Sequence, residues 1–336
     1  MDGPSKPLRG AVLGLGMIGR HHARILQSGA IAAFAGAVDP EGDRFGALHD
    51  RGLLFATVDE LLATAKPDFA IVAVPTEEHL PAVERLAGAG VHVLVEKPLA
   101  ATADEAREII AVVDRAGVRG AVGHVERYNP ALLAARGRMR ELGEVFLIAT
   151  ERTGPFPSRV KDVGVVKDLA THDLDLVRWL GGSPVEAVAA QCSHRMGRAH
   201  EDLVLATGRL ASGVAFNCQV DWLTPTKTRR TRILGERGML VADTLTADLT
   251  FYENADQPIE WAATQQLRGV SEGNATRFAL DRREPLVVEH EAFAAYAGGD
   301  DAAPVVPLEA GLETVITAEA VLASAHTGET VKLAVA

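Results

Sequence analysis

Between Arg9 and about Val125 the chain alternates short apolar runs with amphipathic stretches. Ala11–Leu15, Ala32–Val38, Phe69–Val74, Val91–Val95 and Arg119–Gly123 are rich in Val, Ile and Ala and predict buried strands. Between them, Ile18–Gln27, Val58–Thr64, His79–Ala87 and Thr102–Ala116 carry the helical period, and Thr102 with Glu105 forms a capping box for the last. Strands alternating with helices call for a parallel sheet covered on both faces. After Val125 the pattern changes. Asn129–Leu142 predicts one helix, with Asn129 as its cap and Pro130 in its first position. A strand at Val145–Glu151, a Pro/Gly-rich loop at Gly154–Ser158 and a helix from about Val166 to Leu180 follow. Then come extended runs without long helices between them: Val185–Gln191, Leu203–Leu210, Val214–Val220 and Arg229–Leu234, with Leu249–Glu253 and Glu260–Ala263 as further candidates. Such meanders pair antiparallel. The tail, Leu308–His326, is helical and stopped by Gly328.

The expectation is an α/β protein of two domains. Residues 1–125 form a doubly wound parallel sheet, and 126–336 form an α/β domain with a large, open, mostly antiparallel sheet. The closing helix at about 308–326 is expected to pack back on the first domain. A chain of 336 residues fits two domains comfortably, with 47% hydrophobic and 24% charged residues.

Acidic residues outnumber basic ones, 45 to 34, for a formal charge of −11. That balance speaks against a nucleic-acid or membrane partner, both of which favour a basic face. The first ten residues lack the apolar run of a signal peptide, and no apolar stretch approaches the roughly 20 residues a membrane span needs. Cys192 and Cys218 lie in apolar runs without CxxC spacing, as expected of buried thiols in a reducing compartment. The expected location is the cytoplasm.

The first strand runs into Gly14, Gly16 and Gly19 at the start of a helix. Gly14 permits the tight turn, Gly16 lets backbone approach a pyrophosphate, and Gly19 lets helix and sheet pack closely. Asp39 ends the second strand twenty residues after Gly19. A carboxylate there accepts from ribose hydroxyls and repels a 2′-phosphate. The reading is a Rossmann domain for NAD rather than NADP. Met17, Ile18, Pro75, Thr76, His79 and Glu96 are further candidate cofactor contacts.

Two clusters carry candidate chemistry. Glu96-Lys97-Pro98 follows a buried strand, which places Lys97 at a carboxyl end, where open α/β sheets bind ligands. Asp168 and His172 are four apart and share a helix face, with Asp173 and Asp175 in the same run. A metal site is not expected, since a third ligand is missing. No nucleophile triad is apparent, and Tyr128 is a candidate to reach substrate through its hydroxyl.

Taken in order, the glycine fingerprint with its aspartate, EKP and DxxxH ahead of Trp179-Leu180 resemble the glucose–fructose oxidoreductase/inositol dehydrogenase (Gfo/Idh/MocA) family over nearly the whole chain. The resemblance implies an N-terminal Rossmann domain and a C-terminal open sheet used to form a homodimer or homotetramer. It also implies that Lys97, Asp168 and His172 face the substrate. Many members have glycine where this chain has Ala170.

Three segments, GHVERYNPA, RTGPFPSRVKDVGVVKDLATHDLD and DWLTPTKTRR, look like the branch containing UDP-N-acetylglucosamine 3-dehydrogenases. Arg127, Arg152, Arg159, Lys161, Lys227, Arg229 and Arg230 gather in loops and strand ends of an acidic protein. Guanidinium groups suit bidentate phosphate contacts, and Arg127, Tyr128, Arg152, Arg159, Lys227 and Arg230 are the candidate substrate contacts.

The expected reaction moves hydride between a sugar carbon and nicotinamide. His172 is the base, because its ordinary pKa of about 6.5 lies near operating pH. Lys97 stabilises the developing alkoxide, and Asp168 orients substrate or imidazole. Three alternatives stay open: a free polyol or keto-sugar substrate, NAD-dependent glycosidic cleavage without net redox, and a non-catalytic NAD sensor.

Overall fold

The computed structural model describes residues 7–157, 160, 163–255 and 271–334. The strand expected at Glu260–Ala263 lies outside them, as do Arg159 and Lys161. The chain divides into two compact units: Met1–Val125 with Leu286–Ile316, and Glu126–Pro285 with Thr317–Ala336.

In the first unit, β1 (Arg9–Leu13), β2 (Ala33–Val38), β3 (Leu54–Phe55), β4 (Phe69–Val72), β5 (His92–Glu96) and β6 (Gly120–Gly123) form one sheet. Its order is β3-β2-β1-β4-β5-β6, parallel throughout. Chain order reverses direction between β1 and β4, the switch point where such sheets bind ligands. The strands are buried on both faces by α1 (Gly19–Gln27), α2 (Val58–Thr64), α3 (His79–Gly88) and α4 (Ala103–Ala116). Thr102 and Glu105 make the expected capping box on α4, and Gly117 ends that helix in the left-handed conformation.

A single cut at residue 125 does not describe this unit. The helix Pro285–Ala297 (α7) follows the second unit's sheet in sequence, yet from Leu286 on it belongs to the first. Phe293 of that helix packs edge-on against Phe69, with ring centres 5.7 Å apart. The segment after α7 continues the sheet edge, where Val122 N–H donates to the Val306 carbonyl at 2.9 Å. The boundary therefore falls inside the last long helix, α8 (Leu308–Thr327), between Ile316 and Thr317.

The second unit opens with α5 (Pro130–Gly137), capped by Asn129, whose side chain accepts from Ala131 N–H. The helix expected to reach Leu142 ends at Gly137 and gives way to a 3₁₀ turn, Met139–Leu142. The helix expected from Val166 begins as a π-turn, Val166–Ala170, that passes into α6 (Thr171–Gly181). Nine strands form the sheet: β7 (Val145–Pro155), β8 (Val185–Ser193), β9 (Leu203–Leu210), β10 (Ala215–Asp221), β11 (Leu223–Gly235), β12 (Gly238–Asp243), β13 (Asp248–Ala255), β14 (Ser271–Phe278) and β15 (Val331–Lys332). Their order is β14-β13-β12-β11-β7-β10-β9-β8-β15, and every pair is antiparallel except β7 with β10.

Alternation gives this sheet two unlike faces. Ile148, Phe216, Ile233 and Leu240 share a register row and are buried in a core with Leu174 and Val177 of α6. Their neighbours Asn217, Arg232, Leu234 and Tyr252 point the other way and are exposed.

Candidate functional site

The cofactor cradle belongs wholly to the first unit. Gly14 takes φ +87°, and a Cβ there would lie 2.6 Å from the Ala73 carbonyl oxygen. A Cβ on Gly19 would collide with the carbonyl of Gly14, so the start of α1 needs glycine at both positions. Gly16 meets nothing within 4 Å and faces open space. That is the pattern of a backbone made to be approached by a phosphate at a helix N-terminus. Met17 and Ile18 flank it, 45% and 38% exposed.

Asp39, at the end of β2, is buried and braces this loop. One carboxylate oxygen accepts Leu15 N–H at 2.8 Å, the other Glu41 N–H at 2.9 Å. Each oxygen keeps lone-pair capacity for a ribose hydroxyl. A cavity of about 870 Å³ runs past Gly14, Gly16, Asp39, Val74 and Pro75. The residues present fit a dinucleotide: a glycine backbone open to a phosphate and a carboxylate with acceptor capacity to spare.

His79 and Glu96, expected as cofactor contacts, are placed otherwise. Both His79 ring nitrogens lie 3.1 Å from backbone carbonyls, of Leu99 and Val74. Burial pushes its pKa down despite those contacts. It braces two strand ends from inside. Glu96 is turned inward, 2.9 Å from His22 Nε2, and also accepts Lys97 N–H at 3.0 Å. Burial opposes its charge, but the His22 contact and the nearby Lys97 outweigh that and hold the carboxyl below its ordinary range. Lys97 follows directly at the end of β5, and Thr76 starts the turn after β4.

The second unit holds Asp168 and His172. Asp168 is buried within the π-turn, and His172, one turn on, is partly exposed. π-turns are rare and concentrate at functional sites. Around them lies an ionic cluster. Arg152 Nε donates to Asp173 at 2.6 Å and its NH1 to Glu126 at 2.8 Å. Burial would favour losing its proton, but these two carboxylates raise its pKa further above the ordinary value. Arg127 grips Asp175 with two hydrogen bonds and lies, with Arg136, against the Trp179 ring. These pairings replace the phosphate contacts expected of Arg127 and Arg152, whose guanidinium groups are committed to buried carboxylates. Tyr128 is buried beside them.

Arg230 is corrected by strand geometry. Arg229 stands opposite Arg152 in the β11–β7 register, on the face that carries the cluster. Arg230, one residue on, therefore points to the exposed face, opposite Glu151 and Asp243. Arg229 donates to the Thr153 carbonyl at 2.7 Å and is half-buried within electrostatic reach of Asp168. Lys227 lies beside Gly154 on the same side. Sequence reasoning also missed His22, although it repeats with Gly19, Ala23 and Leu26 on the buried stripe of α1. Among the described residues, no group of three or more His, Cys, Asp and Glu could hold a metal ion. Nor is any described helix long and apolar enough to cross a membrane.

A model of the oxidoreductase family with an NAD-binding Rossmann fold matches residues 8–124, and one for that family's C-terminal α/β domain matches residues 138–333. The chain belongs to this family. The first unit is thus an NAD-binding Rossmann domain, and the protein is an oxidoreductase of the Gfo/Idh/MocA family. The UDP-N-acetylglucosamine 3-dehydrogenase of Acidithiobacillus ferrooxidans is 32% identical over 73% of this chain and 77% of its own. Its solved structure superimposes with a TM-score of 0.82 over 96% of this chain and 98% of that one, at 27% identity. An inositol 2-dehydrogenase of Paenarthrobacter aurescens is 27% identical over 97% of this chain and 99% of its own. A dehydrogenase from Bordetella pertussis, solved with NADH and UDP-GlcNAcA, shares the fold with a TM-score of 0.81 and full coverage of both chains at 22% identity.

Proposed function

We propose that this oxidoreductase acts on a nucleotide sugar, oxidising the 3-hydroxyl of UDP-N-acetylglucosamine or reducing the matching ketone. The observation that carries this reading is the placement of Lys227 and Arg229 on the same face as the Asp168 segment in an otherwise acidic protein. Arginine in such a place suits a diphosphate, and the Acidithiobacillus relative is named for this sugar nucleotide.

When bound, the nicotinamide supplies the hydride acceptor or donor. The rest falls to the chain. His172 takes the hydroxyl proton as hydride departs from carbon and returns it in the reverse direction. Lys97 stabilises the developing alkoxide charge. Asp168 orients the imidazole or a neighbouring hydroxyl. Asp39 selects NAD by accepting from the ribose and repelling a 2′-phosphate. The exposed face of the nine-stranded sheet supports assembly as a homodimer or homotetramer. The free thiols Cys192 and Cys218 suit the cytoplasm.

The test is to mix protein with UDP-N-acetylglucosamine and either NAD or NADP, and follow nicotinamide absorbance. A rise with NAD, lost in Lys97→Met and His172→Ala and weakened by Asp39→Ala, is the expected result. No rise with this substrate but a rise with free inositol would move the assignment to the polyol dehydrogenases, which the Paenarthrobacter relative represents.

A further inference from the structure

The hydrogen bonds behind Lys97 are used by nothing in that reaction, yet they form a continuous line. His22 of α1 stands between two partners, with Nε2 2.9 Å from Glu96 Oε1 and Nδ1 2.7 Å from Nε2 of His290 on α7. The two imidazoles are nearly coplanar, 17° apart. Glu96 Oε2 then takes the Lys97 N–H. Beside this line, Glu289 is fully buried and neither carboxyl oxygen has a hydrogen-bond partner.

Proton accounting gives the neutral line a direction. With both imidazoles neutral, His290 Nε2–H donates to His22 Nδ1, and His22 Nε2–H donates to Glu96. Each proton points toward the carboxylate, and each donor has an acceptor. His290 Nδ1 is left as an acceptor without a donor, and the structure shows that nitrogen without a partner. The inner end of the line is shut off from solvent: His22 and Glu289 are completely buried, and the His290 residue is 2% exposed. What it can do is position. A carboxylate held from behind by an imidazole fixes the backbone and the charge around the next residue, much as outer-shell partners orient metal ligands.

We infer that His22 and His290 are positioning residues for Lys97, acting through Glu96, so that the pose and charge environment of this lysine are set by two buried histidines on separate helices. This rests on the reading of Lys97 as a substrate contact. The charged and titratable groups around the line are Arg24 of α1, His79 of α3, Lys97 itself, and Glu289 of α7.

The experiment uses full-length protein loaded with NAD and labelled at lysine, following the Lys97 ammonium by NMR as pH is varied, with Lys97→Met giving the assignment. His290→Ala removes the last member of the line. His290→Gln keeps a donor near the Nε2 position. The expected result is a Lys97 midpoint displaced by about half a pH unit or more in His290→Ala and restored in His290→Gln, with unchanged NADH binding in both. An unmoved midpoint in His290→Ala, or equal displacement in both variants, overturns the inference. Should His290→Ala not fold, nitrogen NMR of the wild-type imidazoles decides: a hydrogen bond between His290 Nε2 and His22 Nδ1 supports the line, and its absence breaks it. Turnover separates the two readings. If Lys97→Met keeps normal turnover of a substrate the wild type uses, the role of Lys97 fails and this inference with it. If Lys97→Met loses turnover while His290→Ala leaves the midpoint unmoved, only this inference fails.

Discussion

In the first unit Glu96 is held by a histidine that is itself held by a histidine; in the second, Arg152 is held between Asp173 and Glu126. Both clusters are buried and both adjoin residues assigned to chemistry. The first limits its charges: the His290 pKa is pushed well down, by burial and then by His22 and Arg24, and the Glu289 pKa well up, by burial and then by Glu96. The second pairs one cation with two carboxylates, although burial still pushes the Asp173 carboxyl up. A buried group is tolerated either by losing its charge or by gaining a partner. Both clusters answer pH through their imidazoles and carboxyls, since the guanidinium group does not titrate in an accessible range.

Breaking the ionic cluster should have the largest effect. Arg152→Met leaves Asp173 and Glu126 without their shared cation, and the expected loss is about 3–5 kcal/mol in urea unfolding. Adding Asp173→Leu should recover part of that loss, because the worst uncompensated charge goes with it. An Arg152→Met protein as stable as wild type would show that the pairing is incidental.

The proton-adjusted cluster predicts the opposite sign. Glu289→Met removes a buried carboxyl that makes no hydrogen bond, and stability at pH 8 should rise by about 1–3 kcal/mol. A carboxyl whose folded pKa is raised favours the folded state fully below its unfolded pKa, about 4.3, and progressively less as pH climbs toward the folded value. The advantage of Glu289→Met should therefore shrink as pH falls and vanish near the unfolded pKa. Glu96 runs the other way, since its depressed pKa contributes stability above the unfolded value that is lost on acidification. Thermal melts across pH for the two variants Glu289→Met and Glu96→Gln would separate these slopes.

The smallest effect sharpens the comparison within one dipeptide. Arg229→Ala should raise the KM for a nucleotide sugar roughly tenfold, the equivalent of one charged contact. Arg230→Ala, on the other face, should leave both turnover and KM unchanged. Equal effects from the two would contradict the strand alternation that separates them.

The first unit was largely legible in the sequence. Its strands are apolar runs bounded by glycine and proline, and the fingerprint glycines, Asp39 and the Thr102 capping box announce themselves locally. The second was legible in outline only. β12 is a short run directly after a tight Gly235–Gly238 turn, and β14 is mostly polar, so neither has a periodic signal. α7 has no clean polar face, because Glu289 and His290 are buried along with its apolar residues. Arg127 and Arg152 look like a phosphate site until the carboxylates that bind them are brought near by the fold. Spacing predicts that Asp168 and His172 share a face, but it does not reveal that a π-turn precedes the second.

The division of the chain inside α8 also has a consequence for the order in which the protein is made. The first unit's sheet can be synthesised early, but the helix that carries His290 and the strand-like segment that pairs with Val122 follow only after residues 126–285. At about 5–20 residues per second, that is a wait on the order of ten seconds or more. During it the edge at β6 has no Val306 to bond and Phe69 lacks its ring partner, so a nascent chain exposes the half-built cofactor domain for as long as its second unit takes to emerge.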